Sequence, residues 1–248
     1  MKKLLKKITE ILIPTKYQLA VRYLYLKKTN KLDDEMFYVA KLLKKKRRFL
    51  DIGANVGIYS YYFKNTFKNI VAFEPLKEIT YRLKSIESET LKVCNIALSN
   101  EIGEYKFYVP IIDGKIEPAL ASLQKRDGEY EVRTVKVDKV DTYNFDDVDL
   151  IKIDVEGYEK HVIEGASKVI KKNMPILIIE IEQRHIKHKI DEVFQSILDL
   201  DYNGFFLEKG KLNSINEFNY EINQKPYLEN VMAKEYINNF IFIPNKSV

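Results

Sequence analysis

The chain has 248 residues, enough for a single domain with a substantial buried core. Its one cysteine, Cys94, excludes a disulfide framework and a multi-cysteine zinc site, and this composition is typical of the reducing cytoplasm. The net charge of +5 is unevenly placed: the segment through Arg48 has 15 Lys and Arg against 4 Asp and Glu, whereas the rest has 26 against 32. This asymmetry indicates an anionic partner for the N-terminal segment.

Residues 2–28 show a helical pattern of apolar and basic residues, with a break expected at Pro14, and a further helix is predicted over residues 33–46. We therefore expect residues 1–47 to form a basic helical arm packed on the core. Peripheral contact with the anionic inner face of a membrane is the alternative for this arm. Nucleic acid is a weaker alternative, because a basic arm alone is a weak signal. No stretch reaches the ~18–20 apolar residues of a membrane span.

From residue 48 the pattern alternates between short apolar strands and helices. Strands are predicted at 49–52, 70–73 and 91–95, with helices at 58–65 and 76–86 between them. Such alternation predicts a parallel sheet with helices on both faces.

The middle of the chain departs from this rhythm. Residues 104–109 and 131–137 alternate with a period of two, which predicts an antiparallel hairpin inserted between the βα units. The segment between them, residues 110–129, reads as a long loop. Long loops inside compact domains are often functional, so we expect this one to cover the substrate.

The alternation resumes in the last 100 residues. Strands are predicted at 148–154 and 175–180, helices at 158–172 and 186–200, and two short terminal strands at 204–207 and 239–243. Since no linker or internal repeat interrupts the chain, residues 48–248 are predicted to form one α/β domain.

The loop Asp51-Ile-Gly-Ala-Asn-Val-Gly57 connects the first strand to its helix. Its glycines allow the backbone to turn sharply and to approach a ligand, and the following helix offers a positive N-terminus. The spacing is Gly-x-x-x-Gly and so differs from the Gly-x-Gly-x-x-Gly of pyrophosphate binders. Asp51 is a candidate acceptor for a ligand ammonium group.

Acidic residues follow four of the predicted strands. Glu74 lies 17 residues after Gly57, and an acid about 20 residues after a glycine-rich turn commonly accepts both ribose hydroxyls. Asp51, Asp154 and Glu180 also fall at carboxyl ends of strands, the edge at which open α/β sheets bind ligands. Glu156 comes two residues after Asp154. The simpler interpretation of each acid is a helix cap.

These residues resemble the FkbM family of S-adenosylmethionine (SAM) dependent methyltransferases. The resemblance runs from about residue 48 to residue 182. It is carried by FLDIGANVGIYS, VAFEP, NIALSN, the Ser122 of ALASLQ, IKIDVEGYE, GASKVI and PILIIEIE, with NNFIFIPN near the end.

The resemblance implies a Rossmann-like class I methyltransferase with a mostly parallel seven-stranded sheet, SAM as methyl donor, and a hydroxyl of a sugar, glycan precursor or secondary metabolite as acceptor. It also implies roles for individual residues. Cofactor binding falls to Asp51, Gly53, Asn55, Gly57, Glu74, Asn95 and Ala97.

Methyl transfer to a hydroxyl requires a base that accepts the hydroxyl proton. We predict that Asp154 or Glu156 is this base, with Glu180 in support. Ser122 and His185 are candidates for substrate binding. His185 is also an alternative base, although its place in a Gln-Arg-His turn predicts a surface position. A divalent metal on the three acids is an alternative, but the acids alone account for the proton transfer, so we predict no metal.

Two other functions compete with methyl transfer. An NAD-dependent sugar-modifying enzyme on a Rossmann-like fold would need a pyrophosphate fingerprint and a Tyr-x-x-x-Lys pair near the sheet, which this sequence does not show. A non-catalytic module that binds SAM or nucleic acid through the basic arm is the second.

Overall fold

The computed structural model describes residues 13–245 and contains twelve strands in this part of the chain. In chain order they are β1 (Arg48–Ile52), β2 (Asn69–Phe73), β3 (Leu91–Cys94), β4 (Ala97–Leu98), β5 (Gly103–Ile112), β6 (Lys115–Ile116), β7 (Glu129–Asp138), β8 (Val148–Ile153), β9 (Ile176–Glu180), β10 (Tyr202–Glu208), β11 (Lys211–Ser214) and β12 (Asn239–Pro244).

Eight α-helices lie within the same residues: α1 (Thr15–Lys28), α2 (Asp34–Leu42), α3 (Ile58–Phe63), α4 (Lys77–Lys84), α5 (Glu159–Gly165), α6 (Ser167–Asn173), α7 (Ile190–Leu198) and α8 (Tyr220–Asn223). None of the helices in residues 13–245 combines the length and apolar character needed to cross a lipid bilayer. The helix predicted over 158–172 is divided at Ala166 into α5 and α6.

The large sheet has the strand order β11-β10-β12-β9-β8-β1-β2-β3. Strands β9, β8, β1, β2 and β3 are parallel, and β12 runs antiparallel to β9. Eight strands replace the predicted seven, because β10 continues into β11 through a tight turn. Lys209 and Gly210 have φ angles of 51° and 76° there, the pair of positive values that a two-residue hairpin turn requires.

The inserted hairpin is confirmed, as part of a small four-stranded sheet of order β4-β7-β5-β6. Strands β5 and β7 pair in antiparallel register from Gly103↔Val137 to Ile111↔Glu129. The predicted loop over 110–129 is therefore shorter than expected. It contains β6 and a 3₁₀ turn at Pro118–Leu120.

Helices cover both faces of the large sheet, as predicted. One face buries Val162, Ile170 and Phe194 from α5, α6 and α7. The other face buries Met36 and Val39 of α2, together with apolar residues of α3. Each helix thus removes an apolar stripe from water. This burial stabilises the fold by about 25 cal/mol for each Å² of apolar surface.

The N-terminal helices pack against this second face. Leu19 of α1 is buried, and the ring of Tyr23 lies 5.2 Å from that of Tyr61 in α3. Pro14 immediately precedes α1, at the position where the break was predicted. The other predicted N-terminal helix, before Pro14, falls on residues 1–12, outside the described residues.

Candidate active site

The loop after β1 passes very close to the end of β8. Gly53 and Gly57 have φ angles of 72° and 87°, a conformation that glycine adopts without strain. A Cβ atom on Gly53 would lie 1.8 Å from the carbonyl oxygen of Asp154, and one on Gly57 would lie 2.2 Å from Cδ1 of Leu83. Both glycines are therefore required for the packing of this loop against β8 and α4.

The backbone N–H groups of this loop already have partners within the protein. Those of Gly53 and Ala54 both donate to the carbonyl oxygen of Phe73 at 3.0 Å, and that of Asn55 donates to the Glu74 carboxylate at 3.0 Å. The loop is thus fastened to the end of β2. These N–H groups shape the wall of the site and do not themselves reach toward a ligand.

Glu74 follows β2 and is buried. One carboxylate oxygen accepts from the N–H of Asn55 at 3.0 Å and the other from the N–H of Leu76 at 2.9 Å. Burial raises the pKa of Glu74 to about 7. Because each oxygen has a second lone pair, the carboxylate retains two acceptor positions. This arrangement fits the two hydroxyls of a ribose.

Asn95 and Ala97 occupy different positions beside Glu74. The side-chain amide of Asn95 donates to the carbonyl oxygens of Glu74 and Pro75, at 3.0 and 2.7 Å, and to the Thr80 hydroxyl at 3.0 Å. It therefore fixes the turn after β2. Ala97 lies in the wall of the adjacent cavity, where it can border a ligand directly.

This first cavity extends from the ends of β1 and β2 to the small sheet. Glu74 and residues 53–55 bound its polar side, and the segment over residues 118–123 contributes apolar walls. The lining comprises Ile52, Gly53, Asn55, Phe73, Glu74, Pro75, Ile96, Ala97, Leu98, Phe107, Pro118, Ala119, Ala121, Leu123, Asp154, Val155, Glu156 and Tyr158. A polar rim for a ribose and an apolar pocket for a base suit the adenosine part of SAM.

Alternation along neighbouring strands places Asp51, Lys152 and Glu180 on one face of the large sheet, the face that α2 and α3 cover. Asp51 is the register partner of Lys152. The Lys152 side chain is only 3% exposed. Its ammonium lies 3.5 Å from the Asp154 carboxylate and 3.9 Å from the Glu180 carboxylate. Burial alone would lower the pKa of Lys152, but Asp154 and Glu180 outweigh it and raise the pKa. Lys152 is thus a buried cation held by carboxylates.

The three acids predicted for catalysis differ in their surroundings. Burial, followed by the charge of Asp154, raises the pKa of Glu156 and of Glu180 well above the usual value. Both glutamates therefore favour the protonated form. Asp154 is more accessible, with 31% of its side chain exposed, and faces the Lys152 ammonium.

A second cavity opens on the other side of the loop, beneath the N-terminal helices. It is lined by Arg22, Leu26, Lys31, Leu32, Asp33, Met36, Asp51, Gly53, Ala54, Asn55, Val56, Ile58, Tyr59, Lys152 and Asp154. Gly53, Asn55 and Asp154 line both cavities. The Asp51 carboxylate accepts from the N–H and the hydroxyl of Ser60, at 3.0 and 2.6 Å, and burial raises its pKa to about 6.

Glu156 also belongs to a second ionic cluster, with Glu182 and His185. Donor atoms of the three lie within 4.8 Å of one another, close enough for a metal site. However, Glu156 lies 3.7 Å from Arg126, and Glu182 accepts two hydrogen bonds from Arg184. Arg184 thus balances the charge of Glu182, and Glu156 favours the protonated form, so the cluster has no excess negative charge for a cation to neutralise.

His185 lies in the interior, so the predicted surface position is wrong. The 3₁₀ turn Gln183–His185 packs so closely on Gly157 that a Cβ atom there would lie 2.6 Å from the His185 carbonyl oxygen. Its Nδ1 atom is 3.1 Å from Glu156. Burial lowers the pKa of His185 to about 3, so the imidazole is neutral.

Ser122 is also buried, and its hydroxyl is engaged with backbone. It donates to the carbonyl oxygen of Val155 at 3.1 Å and accepts from the N–H of Gln124 at 3.0 Å. Arg126, in the same segment, donates to the carbonyl oxygen of Leu120 at 2.8 Å. The segment that walls the first cavity is thus tied to the loop after β8.

The sequence-based reasoning missed Lys152, and a signal for it was available. A lysine inside an apolar strand must be paired when it is buried, because an isolated charge in the interior is very costly. It also missed Glu159, which accepts from the N–H of Gly157 at 2.9 Å, and Arg126. Nothing in the local pattern around these two distinguishes them from solvated charges.

Fold and site together define a class of protein. The parallel strands β9-β8-β1-β2-β3, the glycine loop after β1 and the acid after β2 are those of a class I SAM-dependent methyltransferase. The family described as "Methyltransferase FkbM domain" has a sequence model that matches residues 51–205, well over half of the chain. The chain belongs to this FkbM family, and the predicted SAM cofactor and methyltransferase activity are confirmed.

Several solved structures are similar to the chain. The FkbM methyltransferase of Methylobacillus flagellatus KT is 16% identical, with a TM-score of 0.48 over 79% of this chain and 43% of that one. The chain thus spans less than half of that protein. A TehB-like SAM-dependent methyltransferase from Corynebacterium glutamicum is 9% identical, with a TM-score of 0.48 over 93% and 98%. An rRNA methylase from Streptococcus thermophilus is 12% identical, with a TM-score of 0.46 over 86% and 95%. No curated protein matches the chain.

Proposed function

We propose that this methyltransferase transfers the methyl group to a hydroxyl oxygen of a sugar or glycan precursor. The observation that carries the proposal is the position of Asp154. Asp154 lines both cavities, as do Gly53 and Asn55 of the loop that lies between them. A carboxylate at the junction of a cofactor cavity and an acceptor cavity is suited to receive a hydroxyl proton.

In this proposal the cofactor is held by residues of β1, β2 and the segment before β5. Glu74 binds the ribose hydroxyls, and Ala97 borders the base. Gly53 and Asn55 line both cavities, and Asp51 lies in the wall of the second. Both glycines of the loop fit this role, because a side chain on either would collide with the protein itself.

When bound, SAM supplies an activated methyl group on a sulfonium for in-line transfer to the acceptor oxygen. Asp154 accepts the proton of the acceptor hydroxyl. Lys152, 3.5 Å away, keeps the Asp154 carboxylate oriented. Glu180 lies 3.9 Å from the Lys152 ammonium and supports its position, and Glu156 lines the first cavity together with Asp154. The buried setting strengthens each of these contacts by excluding water.

The composition of the second cavity supports a polar acceptor. Carboxylates, a lysine and a tyrosine face it, together with Arg22 and Lys31 from the N-terminal helices. Several hydroxyls of a sugar can be hydrogen-bonded by such a set at once. The two cations at its N-terminal side suit an acceptor with a phosphate or carboxylate group.

The test is Asp154→Asn, assayed with labelled SAM and a panel of nucleotide sugars and glycan precursors. We expect methyl-ether products from the wild-type chain and a fall in turnover of roughly 10²–10⁴-fold in the variant, the usual contribution of a general base. SAM binding by calorimetry should change little. The exposed Asp127→Asn serves as the matched control and should retain full activity.

Two results would contradict the proposal. Undiminished turnover of Asp154→Asn would remove Asp154 from the chemistry. Product methylated only on nitrogen or carbon, with all hydroxyl acceptors inert, would exclude O-methylation while leaving the family assignment intact.

A further inference from the structure

Helix α1 is apolar on two opposite faces. Leu19 is buried against the core, whereas Tyr17, Val21, Leu24 and Tyr25 are 51%, 37%, 61% and 52% exposed. These four positions follow the i, i+4, i+7, i+8 spacing and so form one continuous outer stripe.

The outer stripe lies in a strictly basic stretch of sequence. No Asp or Glu occurs from Ile11 to Leu32. Lys16, Lys27 and Lys28 are exposed around the stripe. The outer face of a helix in a soluble protein normally carries charges of both signs. Large apolar side chains that are exposed among lysines, with no acid nearby in the sequence, therefore indicate a binding partner.

We propose that the outer stripe of α1 docks on the surface of an anionic lipid bilayer. Leu24 and Val21 enter the boundary between headgroups and acyl chains, the tyrosines lie at headgroup level, and the lysines contact acidic headgroups. The 14-residue helix is about 21 Å long, too short to cross the ~30 Å core of a bilayer but suited to its surface.

The residue types favour lipid over the two other partners of such a surface. RNA would use the lysines and stack on the tyrosines, but it offers no apolar medium to Val21 and Leu24. A second copy of the chain would place the lysines around one outer stripe close to those around the other, because the same patch would face itself across a two-fold axis. Anionic lipid satisfies the charge and the apolar side chains together.

Docking of α1 also has a consequence for the second cavity. Arg22 and Leu26, on the inner side of the same helix, line that cavity. Since an α-helix is about 10 Å across, the cavity would lie roughly one helix diameter from the lipid headgroups. An acceptor anchored in the bilayer is then within reach. This consequence rests on the proposed function, whereas the docking itself does not.

The proposal is tested by sedimentation of the full chain with phosphatidylcholine vesicles, with and without phosphatidylglycerol. We expect binding only to the anionic vesicles. Val21→Ser with Leu24→Ser should weaken partitioning by roughly tenfold, because less apolar area enters the lipid. The matched control, Ile222→Ser with Met232→Ser, removes two apolar side chains elsewhere that are more exposed still, and it should bind as the wild type does.

A second pair of variants tests the charges. Lys27→Gln with Lys28→Gln should weaken partitioning by roughly tenfold or more, and Lys209→Gln with Lys211→Gln, at the exposed β10–β11 turn, should not. Unchanged SAM affinity and melting temperature show that each variant is folded. Equal binding to neutral vesicles, or undiminished binding of the Val21/Leu24 variant, would overturn the proposal. So would salt-dependent binding to an RNA duplex, or a dimer lost in that variant, with no vesicle binding.

Discussion

Glu74 holds two walls of the candidate site together and is also the proposed ligand of the ribose. Its two oxygens hold the loop after β1 and the turn before α4 through the N–H groups of Asn55 and Leu76. The remaining lone pairs are left for a ligand. Because burial raises the pKa of Glu74 to about 7, its charge state changes near neutral pH.

The first prediction concerns the pH dependence of SAM binding. Ribose hydroxyls donate to the ionised carboxylate, so a protonated Glu74 must lose its proton before it binds well. The dissociation constant of SAM should therefore rise as pH falls from 8 to 6, by up to about tenfold for each pH unit below 7. Calorimetry across this range measures it. Glu74→Gln should bind weakly with a much flatter profile, and a flat profile in the wild type would refute the assignment.

At the scale of elements, the cover of the first cavity depends on a few polar contacts. Ser122 ties the segment over residues 118–123 to the backbone of Val155, and Arg126 ties it to Glu156. These contacts join the inserted small sheet to the loop after β8. The substrate cover predicted over residues 110–129 is thus a fastened wall in its second half.

The second prediction is that Ser122→Ala loosens this wall. The change removes two hydrogen bonds of about 1 kcal/mol each and leaves the buried Val155 carbonyl without this donor. We expect SAM to dissociate several-fold to about thirtyfold faster in stopped-flow displacement. Ser88→Ala, at an exposed serine, is the control. Identical dissociation rates in the variant and wild type would show that the segment does not gate the cavity.

Elements with a clear period were predictable from sequence. Strands β1, β2, β3, β8 and β9 lie within a residue or two of their predicted positions, because each is a short, mostly apolar segment that follows a turn, and all but β3 carry an acid at or next to the carboxyl end. The β11 edge strand was missed because its residues, KLNS, carry no apolar alternation, and only the hairpin turn before it fixes its pairing. The division at Ala166 was missed because the apolar period continues across it.

Residues of the candidate site were predictable only where their position next to a strand end can be seen in the sequence. Asp51, Gly53, Gly57 and Glu74 stand next to strand ends in the sequence, and the structure brings them together there. The environment of His185 was not predictable, since the approach of its turn to Gly157 is a tertiary contact. Ser122 and Asn95 are engaged with backbone, which residue type alone does not reveal.

At the scale of the whole molecule, the fold buries several acids with raised pKa values. Burial raises the pKa of Asp51 to about 6, of Glu74 and Glu159 to about 7, and of Glu35 to about 8. The folded chain therefore holds protons that the unfolded chain has released, and its stability declines as pH rises through these values. His185, with its pKa lowered to about 3, opposes this trend only below about pH 6.5.

The third prediction follows from this balance. Without ligand, the free energy of unfolding should fall between pH 6.5 and 8.5, which denaturant titrations measure. Glu35→Gln should reduce the slope, because it removes a group whose pKa of about 8 lies within this range. Glu104→Gln, at an exposed position, should leave the slope unchanged. Stability that rises with pH over the same interval would contradict the burial of these acids.

The central claim is that SAM lies across the ends of β1 and β2 with its ribose on Glu74, and calorimetry of SAM with Glu74→Ala tests it most directly. The wild-type chain should bind one SAM, and the variant should lose at least roughly tenfold in affinity, as expected when charge-assisted hydrogen bonds are removed. The exposed Glu89→Ala should bind as the wild type does. Binding by Glu74→Ala with unchanged affinity would contradict the placement of the cofactor, and no binding by the wild-type chain would contradict the cofactor itself.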